Sequence, residues 1–122
     1  MSKSICVAED NKDLQEIFMM ILEMTPHRIN MVTDGREAMD FLTTNKPDLV
    51  ILDVNMPHVS GLDVLRHIRE SGNFIHTKVM IVTGNVHINV EAEAAYADVI
   101  LIKPFDMSEL KTLVDRLLSP VA

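Results

Sequence analysis

The chain has 122 residues, with 11 Lys and Arg against 18 Asp and Glu, which gives a formal net charge of −7 at pH 7. This length suits one domain around one core, and 48% hydrophobic with 24% charged residues is typical of a globular protein, not a disordered one. An acidic surface repels phosphate backbones and anionic lipids, which argues against direct binding to nucleic acid or to a membrane. We therefore expect a single domain over residues 1–122.

The single cysteine, Cys6, excludes an intramolecular disulfide and fits a reducing compartment. The first ten residues include Glu9 and Asp10 and do not form a signal-peptide pattern. No uncharged apolar run approaches the ~20 residues that a membrane-spanning helix needs. These features predict a soluble, cytoplasmic protein.

The first half of the chain alternates short apolar runs with segments of helical period. Residues 4–8 form a Val/Ile-type run that predicts a strand, and the weaker run 29–33 predicts an edge strand. A helix is predicted between them, and another follows the turn signal Asp34-Gly35 over residues 35–43. The first helix has its apolar side chains at i, i+3, i+4, i+7 and i+8, namely Leu14, Ile17, Phe18, Ile21 and Leu22.

The second half repeats this alternation. Strands are predicted at 49–52, 79–82 and 99–102, with helices at 61–70 and 86–96 between them. The last helix has the same apolar spacing as the first, at Leu110, Leu113, Val114, Leu117 and Leu118, after a capping pair formed by Asp106 and Glu109. Five of the nine methionines fall in periodic or apolar segments and are predicted to fill the core: Met19, Met20, Met24, Met39 and Met80.

Five strands, each followed by a helix, predict an α/β fold of the (βα)5 type with a doubly wound parallel sheet. Runs that are apolar on both faces suit a sheet covered by helices on each side. In such sheets, ligands bind beyond the carboxyl ends of the strands. This edge of the sheet is therefore the place to look for chemistry.

Polar residues follow four of the predicted strands at this edge: Glu9 and Asp10, then Asp53, Thr83 and Lys103. Three neighbouring carboxylates repel one another unless a cation neutralises them. Oxygen ligands without a cluster of His or Cys favour Mg²⁺, with Mn²⁺ as a second possibility. The sequence therefore predicts a divalent metal site held by these carboxylates.

A carboxylate beside a metal, a hydroxyl and a lysine is a set of groups suited to phosphoryl transfer. Asp53 is the natural nucleophile, because carboxylates can form an aspartyl phosphate. Lys103 and Thr83 would each contact a phosphoryl oxygen, while Glu9 and Asp10 would hold the metal. Any one of these positions alone is an ordinary turn or cap residue, and the joint occurrence carries the prediction.

The motifs around these residues are Ala8-Glu9-Asp10-Asn11, Leu52-Asp53-Val54-Asn55-Met56-Pro57 with Gly61, Val82-Thr83-Gly84, and Lys103-Pro104-Phe105. Over about residues 3–119 the chain resembles the response-regulator receiver domain. The resemblance implies a flavodoxin-like sheet in strand order 2-1-3-4-5, with Asp53 as phospho-acceptor, Thr83 as switch hydroxyl and Lys103 as phosphate-binding lysine. It implies Mg²⁺ bound by Asp10, Asp53 and the backbone carbonyl of Asn55, with Glu9 acting directly or through water, and a cis Lys103-Pro104 peptide.

The resemblance also implies partners in a two-component system or phosphorelay. The phosphoryl donor would be a phosphohistidine of a sensor histidine kinase or a histidine phosphotransfer protein, and the output would go to a downstream protein or an output domain. Such a domain is not an enzyme beyond its own phosphorylation and dephosphorylation. Where the family usually has Tyr or Phe as a second switch residue this chain has Ile100, and Tyr96, one helical turn earlier, is a candidate recognition residue.

Three other interpretations stay open from the sequence. The chain could be the receiver portion of a larger regulator or hybrid kinase. A Mg²⁺-dependent phosphatase with an aspartate nucleophile would share the chemistry, but it would need a D-x-D pair on the first strand, where the chain has Glu9-Asp10-Asn11. A phosphorylation-independent interaction module would be expected to lose Asp53, a metal ligand or Lys103, and only Ile100 supports it.

Overall fold

A computed structural model describes residues 2–85 and 95–119. Five parallel strands form one sheet in the order β2-β1-β3-β4-β5. The strands are β1 (Ser4–Ala8), β2 (Arg28–Val32), β3 (Leu49–Asp53), β4 (Lys78–Thr83) and β5 (Val99–Ile102). The helices of the described ranges are α1 (Lys12–Leu22), α2 (Gly35–Thr44), α3 (Gly61–Ser71) and α4 (Met107–Leu118). The predicted fold class and strand order are confirmed.

The central strands are buried on both faces, as their unbroken apolar runs predict. Every residue of β3 is buried, and β1 is buried from Ile5 to Ala8. One core layer lies beneath α2 and α3 and includes Val50, Leu52 and Ile81, while the other lies beneath α1 and α4 and includes Ile51 and Val82. The side chains of the central strands alternate between the two layers. Because all five strands are parallel, the polar residues that follow them lie at one edge of the sheet.

Each described helix begins at a side-chain cap that accepts a backbone hydrogen bond. The capping residues are Asn11, Asp34, Ser60 and Asp106. The predicted pairing before α4 is confirmed, since the backbone N–H of Glu109 donates to Asp106 Oδ1 at 2.7 Å. These caps fix where each helix starts, immediately after the loops at the carboxyl edge of the sheet.

The structure corrects part of the predicted core. Met20 and Met24 are 58% and 67% exposed, so the prediction that they fill the core is wrong. Ile17 is 38% exposed, because the buried stripe of α1 is narrower than its apolar stripe in sequence. The edge strand β2 spans Arg28–Val32, one residue earlier than predicted.

Most of the predicted helix 86–96 lies outside the described residues, which resume at residue 95. Within the described ranges, none of the helices has the length and apolar character needed to cross a lipid bilayer.

Candidate functional site

The acidic residues predicted from the strand ends lie together at the carboxyl edge of the sheet. Glu9 and Asp10 directly follow β1, and Asp53 is the last residue of β3, which pairs with β1. One carboxylate oxygen from each of the three lies within 4.8 Å of the others. Glu9 and Asp53 are almost fully buried, while Asp10 is exposed. The edge therefore has two buried acidic groups and one that faces the solvent.

The Glu9 carboxylate is held from one side only. Its Oε2 accepts a hydrogen bond from the backbone N–H of Asn11 at 3.2 Å. The side-chain amide of Gln15 donates to the backbone carbonyl oxygen of Glu9, not to the carboxylate. Its Oε1 has no hydrogen-bond partner among the residues that the structure describes. Burial raises the pKa of Glu9 to about 8, and the neighbouring negative charge of Asp53 adds to this effect.

Asp53 is held by a backbone amide and faces a lysine. Its Oδ1 accepts from the backbone N–H of Asn55 at 3.2 Å. Lys103 Nζ lies 3.4 Å from Asp53 Oδ2 and 4.0 Å from Glu9 Oε1. The Lys103-Pro104 peptide is cis, as the resemblance implies, and the backbone N–H of Lys103 donates to the Thr83 carbonyl oxygen at 2.7 Å. One cation thus faces both buried carboxylates.

Thr83 ends β4 beside Asp53 and is completely buried. Its Oγ1 accepts a hydrogen bond from the backbone N–H of Asn85 at 3.1 Å. The space beside the next residue is open, since a Cβ added at Gly84 would meet nothing within 4 Å. The turn that follows β4 therefore fixes the orientation of the Thr83 hydroxyl.

A divalent cation fits this arrangement. A buried carboxylate oxygen without a partner is costly in a folded protein, and Glu9 Oε1 has none within residues 2–85 and 95–119. The three acids, Asn55 and Lys103 line an open depression of about 520 Å³. Carboxylate and carbonyl oxygens are the ligands that Mg²⁺ and Mn²⁺ prefer. The donor set is thus suited to a hard cation that keeps several water ligands.

The two candidate output residues do not line this depression. Ile100 is half-buried on β5 and packs against the core layer beneath α2 and α3. Tyr96 is 60% exposed, and its carbonyl oxygen accepts a hydrogen bond from Arg69 Nε at 3.0 Å. The structure thus places both on the flank formed by β5 and the segment before it.

Sequence reasoning missed several residues that shape the site. Asn11 and Gln15 hold Glu9 through contacts that have no signature beyond the Asn cap itself. Gly61 was recognised only as part of a motif, yet a Cβ there would lie 2.3 Å from the carbonyl oxygen of Asp53. Away from the site, Arg69 joins α3 to the residues just before β4 and β5, and no local pattern in the sequence could indicate these long-range contacts.

Comparison with known proteins decides the family. The family model of the response regulator receiver domain matches residues 5–115. This chain belongs to that family. The receiver domain is 34% identical over 114 residues to the response regulator MprA of Mycolicibacterium vanbaalenii, an alignment that covers 93% of this chain and 49% of the relative. The receiver domain thus spans about half the length of the curated relatives it matches.

Solved structures agree with this assignment. The receiver domain superposes with a TM-score of 0.86 on the response regulator TrrA of Thermotoga maritima, crystallised in complex with Mg²⁺-BeF, at 32% identity and with 95% of this chain and 99% of that chain covered. It also matches the receiver domain of a signal transduction histidine kinase from Syntrophus aciditrophicus, with a TM-score of 0.87, 31% identity and coverage of 96% and 90%. Similar receiver domains therefore occur in different protein contexts.

Proposed function

We propose that this receiver domain accepts a phosphoryl group on Asp53 in a Mg²⁺-dependent reaction. The observation that carries the proposal is the grouping of three carboxylates within 4.8 Å of one another, with Lys103 Nζ 3.4 Å from Asp53 Oδ2. A buried aspartate between a cation site and a lysine is arranged to attack an electrophilic phosphorus. The resemblance to TrrA, which was crystallised with Mg²⁺-BeF, supports the same proposal.

The donor would be a phosphohistidine of a sensor histidine kinase or a histidine phosphotransfer protein. A carboxylate oxygen of Asp53 forms an O–P bond as the N–P bond breaks, and the departing imidazole nitrogen takes up a proton. The products are an aspartyl phosphate and a neutral histidine. Autodephosphorylation is hydrolysis of the aspartyl phosphate: a water oxygen forms a bond to phosphorus as the O–P bond to Asp53 breaks, the water gives up a proton, and inorganic phosphate leaves.

The site residues have separate roles in this reaction. Glu9, Asp10, Asp53 and the Asn55 carbonyl would hold Mg²⁺, which when bound neutralises charge on the carboxylates and phosphoryl oxygens. The Lys103 ammonium would pair with one phosphoryl oxygen, since it already faces Asp53 Oδ2. Thr83 Oγ1, which now accepts from the Asn85 N–H, would donate its proton to a second phosphoryl oxygen. Formation of that bond would link phosphorylation to the loop after β4.

The output would be a shift between two populations of the domain that a partner distinguishes. Ile100 in place of the usual aromatic residue leaves Tyr96 as the exposed aromatic group near β5, so we propose that a downstream protein or an output domain reads the flank that contains both. Within the described ranges Tyr96 is 60% exposed, which makes its ring available to such a partner.

Intact-mass spectrometry after incubation with acetyl phosphate and Mg²⁺ tests the phosphorylation proposal. We expect the parent protein to gain one phosphoryl group, and we expect Asp53→Asn or an excess of chelator to abolish the gain. Asp40→Asn is the matched control, because Asp40 is an exposed aspartate of α2 away from the site. Failure of the parent protein to gain mass while another receiver domain is labelled, and also with a phosphohistidine donor, would refute the proposal.

A further inference from the structure

The opposite end of the sheet has a surface that the proposed phosphorylation chemistry does not use. A depression of about 350 Å³ lies where β1, β3 and β4 begin and α4 ends. Its lining residues are Lys3, Asp48, Ile75, His76, Lys78, Leu117, Leu118 and Ser119. Because a strand rises ~3.3 Å per residue, the five-residue strands separate this surface from the phosphorylation site by on the order of 15 Å. We call it the amino-end surface.

The amino-end surface contains an aliphatic side chain that the fold leaves uncovered. Ile75, in the loop before β4, is 82% exposed, which is more than any other large hydrophobic residue in the described ranges. It also lines a second depression, formed with Ile68, Arg69, Gly72 and Phe74 on the α3 side. Ile75 therefore stands between two concave areas, where a partner could bury it from both sides.

The charge around Ile75 is opposite to that of the whole protein. Lys3 and Lys78 line the depression, and neither forms an ion pair with any described residue. The one carboxylate of the lining, Asp48, already accepts a hydrogen bond from the Ser4 backbone N–H at 2.9 Å. On a chain with a net charge of −7, the lining of this depression has two lysines against one aspartate.

We propose that the amino-end surface is a docking site for an acidic protein segment that carries an aliphatic side chain. The aliphatic group would cover Ile75 and the half-buried Leu117, while carboxylates on the same segment would pair with Lys3 and Lys78. Burial of apolar surface supplies affinity, and the charges select acidic partners and fix their orientation. This site is separate from Asp53 and does not depend on phosphorylation.

The probe is a synthetic acidic peptide of Glu, Leu and Ala, titrated into the isotopically labelled full chain and followed by NMR. We expect amide shifts at Ile75, His76 and Lys78, with Glu9 and Asp53 unaffected. Ile75→Ser should weaken binding roughly tenfold, because the variant loses the free energy gained by burying the isoleucine side chain in the complex. Lys78→Glu should weaken it about threefold to tenfold and should reduce its dependence on salt.

Matched control variants distinguish binding at this surface from nonspecific binding of the peptide elsewhere on the protein. Met24→Ser removes another exposed apolar side chain, just after α1, and Arg36→Glu reverses a charge on α2, so both should leave the affinity unchanged. Any of the following results would overturn the proposal: no shifts with millimolar peptide, shifts centred on Met20 and Met24, or an Ile75→Ser variant that binds as well as the parent. Binding of phosphatidylserine vesicles without binding of the peptide would also overturn it.

Discussion

The backbone of Gly61 lies against the carbonyl of Asp53 so closely that a Cβ at Gly61 would be 2.3 Å from that oxygen. The backbone N–H of Gly61 also donates to the Val54 carbonyl oxygen at 3.2 Å. The first turn of α3 therefore packs directly on the residue proposed as the phospho-acceptor. Glycine is required at this position because of contact distance and not because of an unusual φ angle.

Gly61→Ala should destabilise the fold by about 1–3 kcal/mol, because the added methyl group forces the backbone of Asp53 or α3 to move. Urea denaturation measures the change as a shift in the midpoint. Gly84→Ala is the matched control, since its Cβ would meet nothing within 4 Å, and it should change the free energy of unfolding by less than about 1 kcal/mol. Equal midpoints for Gly61→Ala and the parent would contradict the close approach.

The raised pKa of Glu9 predicts how stability depends on pH without metal. The carboxyl has a pKa of about 8 in the folded protein, so the native state keeps a proton that the unfolded chain, with its ordinary pKa near 4.5, releases. Stability should therefore fall as the pH rises from about 4.5 to about 8, by at most about 1.4 kcal/mol per pH unit for one proton. Glu9→Gln should flatten this part of the profile.

Mg²⁺ should reverse the same dependence, because only the ionised carboxylate binds the cation. We expect Mg²⁺ to raise Tm more at pH 8.5 than at pH 6, and to raise it little in Glu9→Gln at either pH. Differential scanning calorimetry with and without chelator gives both values. An equal gain in Tm at both pH values in the parent protein would show that Glu9 does not take part in metal binding.

Lys103 should have opposite effects on metal binding and on phosphorylation. Its ammonium group lies 3.4 Å from Asp53 Oδ2 and 4.0 Å from Glu9 Oε1. At this position its positive charge would repel a Mg²⁺ ion held by the same carboxylates. Lys103→Gln should therefore bind Mg²⁺ at least about threefold more tightly by calorimetry. The same variant should be phosphorylated by acetyl phosphate at least about tenfold more slowly, because a positive donor to the phosphoryl oxygens is lost. Weaker Mg²⁺ binding would indicate that Lys103 supports the site structurally instead.

Arg69 should matter more for stability than a typical surface ion pair. Its guanidinium donates to the Tyr96 carbonyl oxygen, to the Thr77 carbonyl oxygen and to Asp98 Oδ2, at 3.0, 3.0 and 2.7 Å. Arg69→Gln should cost about 1–3 kcal/mol in urea denaturation. Lys111→Gln, which removes an exposed i,i+4 pair with Asp115, should cost no more than about 0.5 kcal/mol. Similar costs for the two variants would contradict this ranking.

Cys6 should be unreactive in the native protein. It is completely buried on β1, and burial raises the pKa of its thiol to about 12. Ellman's reagent at pH 8 should therefore release no thionitrobenzoate when mixed with the folded protein, and one equivalent per chain in urea. Rapid reaction under native conditions would mean that β1 opens readily.

The strand runs and the edge of the site were predictable because they depend on local patterns. Short unbroken runs rich in Val and Ile are typical of buried strands in a covered sheet, and the parallel topology then brings the residues after them, such as Asp10 and Asp53, to one edge. The exposure of Met20 and Met24 was not predictable, since periodicity gives the direction of a helix face but not how much of it the neighbouring elements cover. The contacts of Arg69 join residues far apart in sequence, so only the folded chain defines them.

Asn11 caps α1 by accepting from the Leu14 N–H at 2.9 Å, and its own N–H holds Glu9. Glu9 is thus positioned by residues that are close to it in sequence. This part of the site can form together with the first turn of α1. Asp53 reaches Glu9 only after β1 and β3 have paired, and Lys103 reaches both only after β4 and β5 have joined the sheet. The three carboxylates of the proposed metal site would therefore meet only once β1 and β3 are paired, and a partly folded chain that keeps α1 alone would not retain the cation.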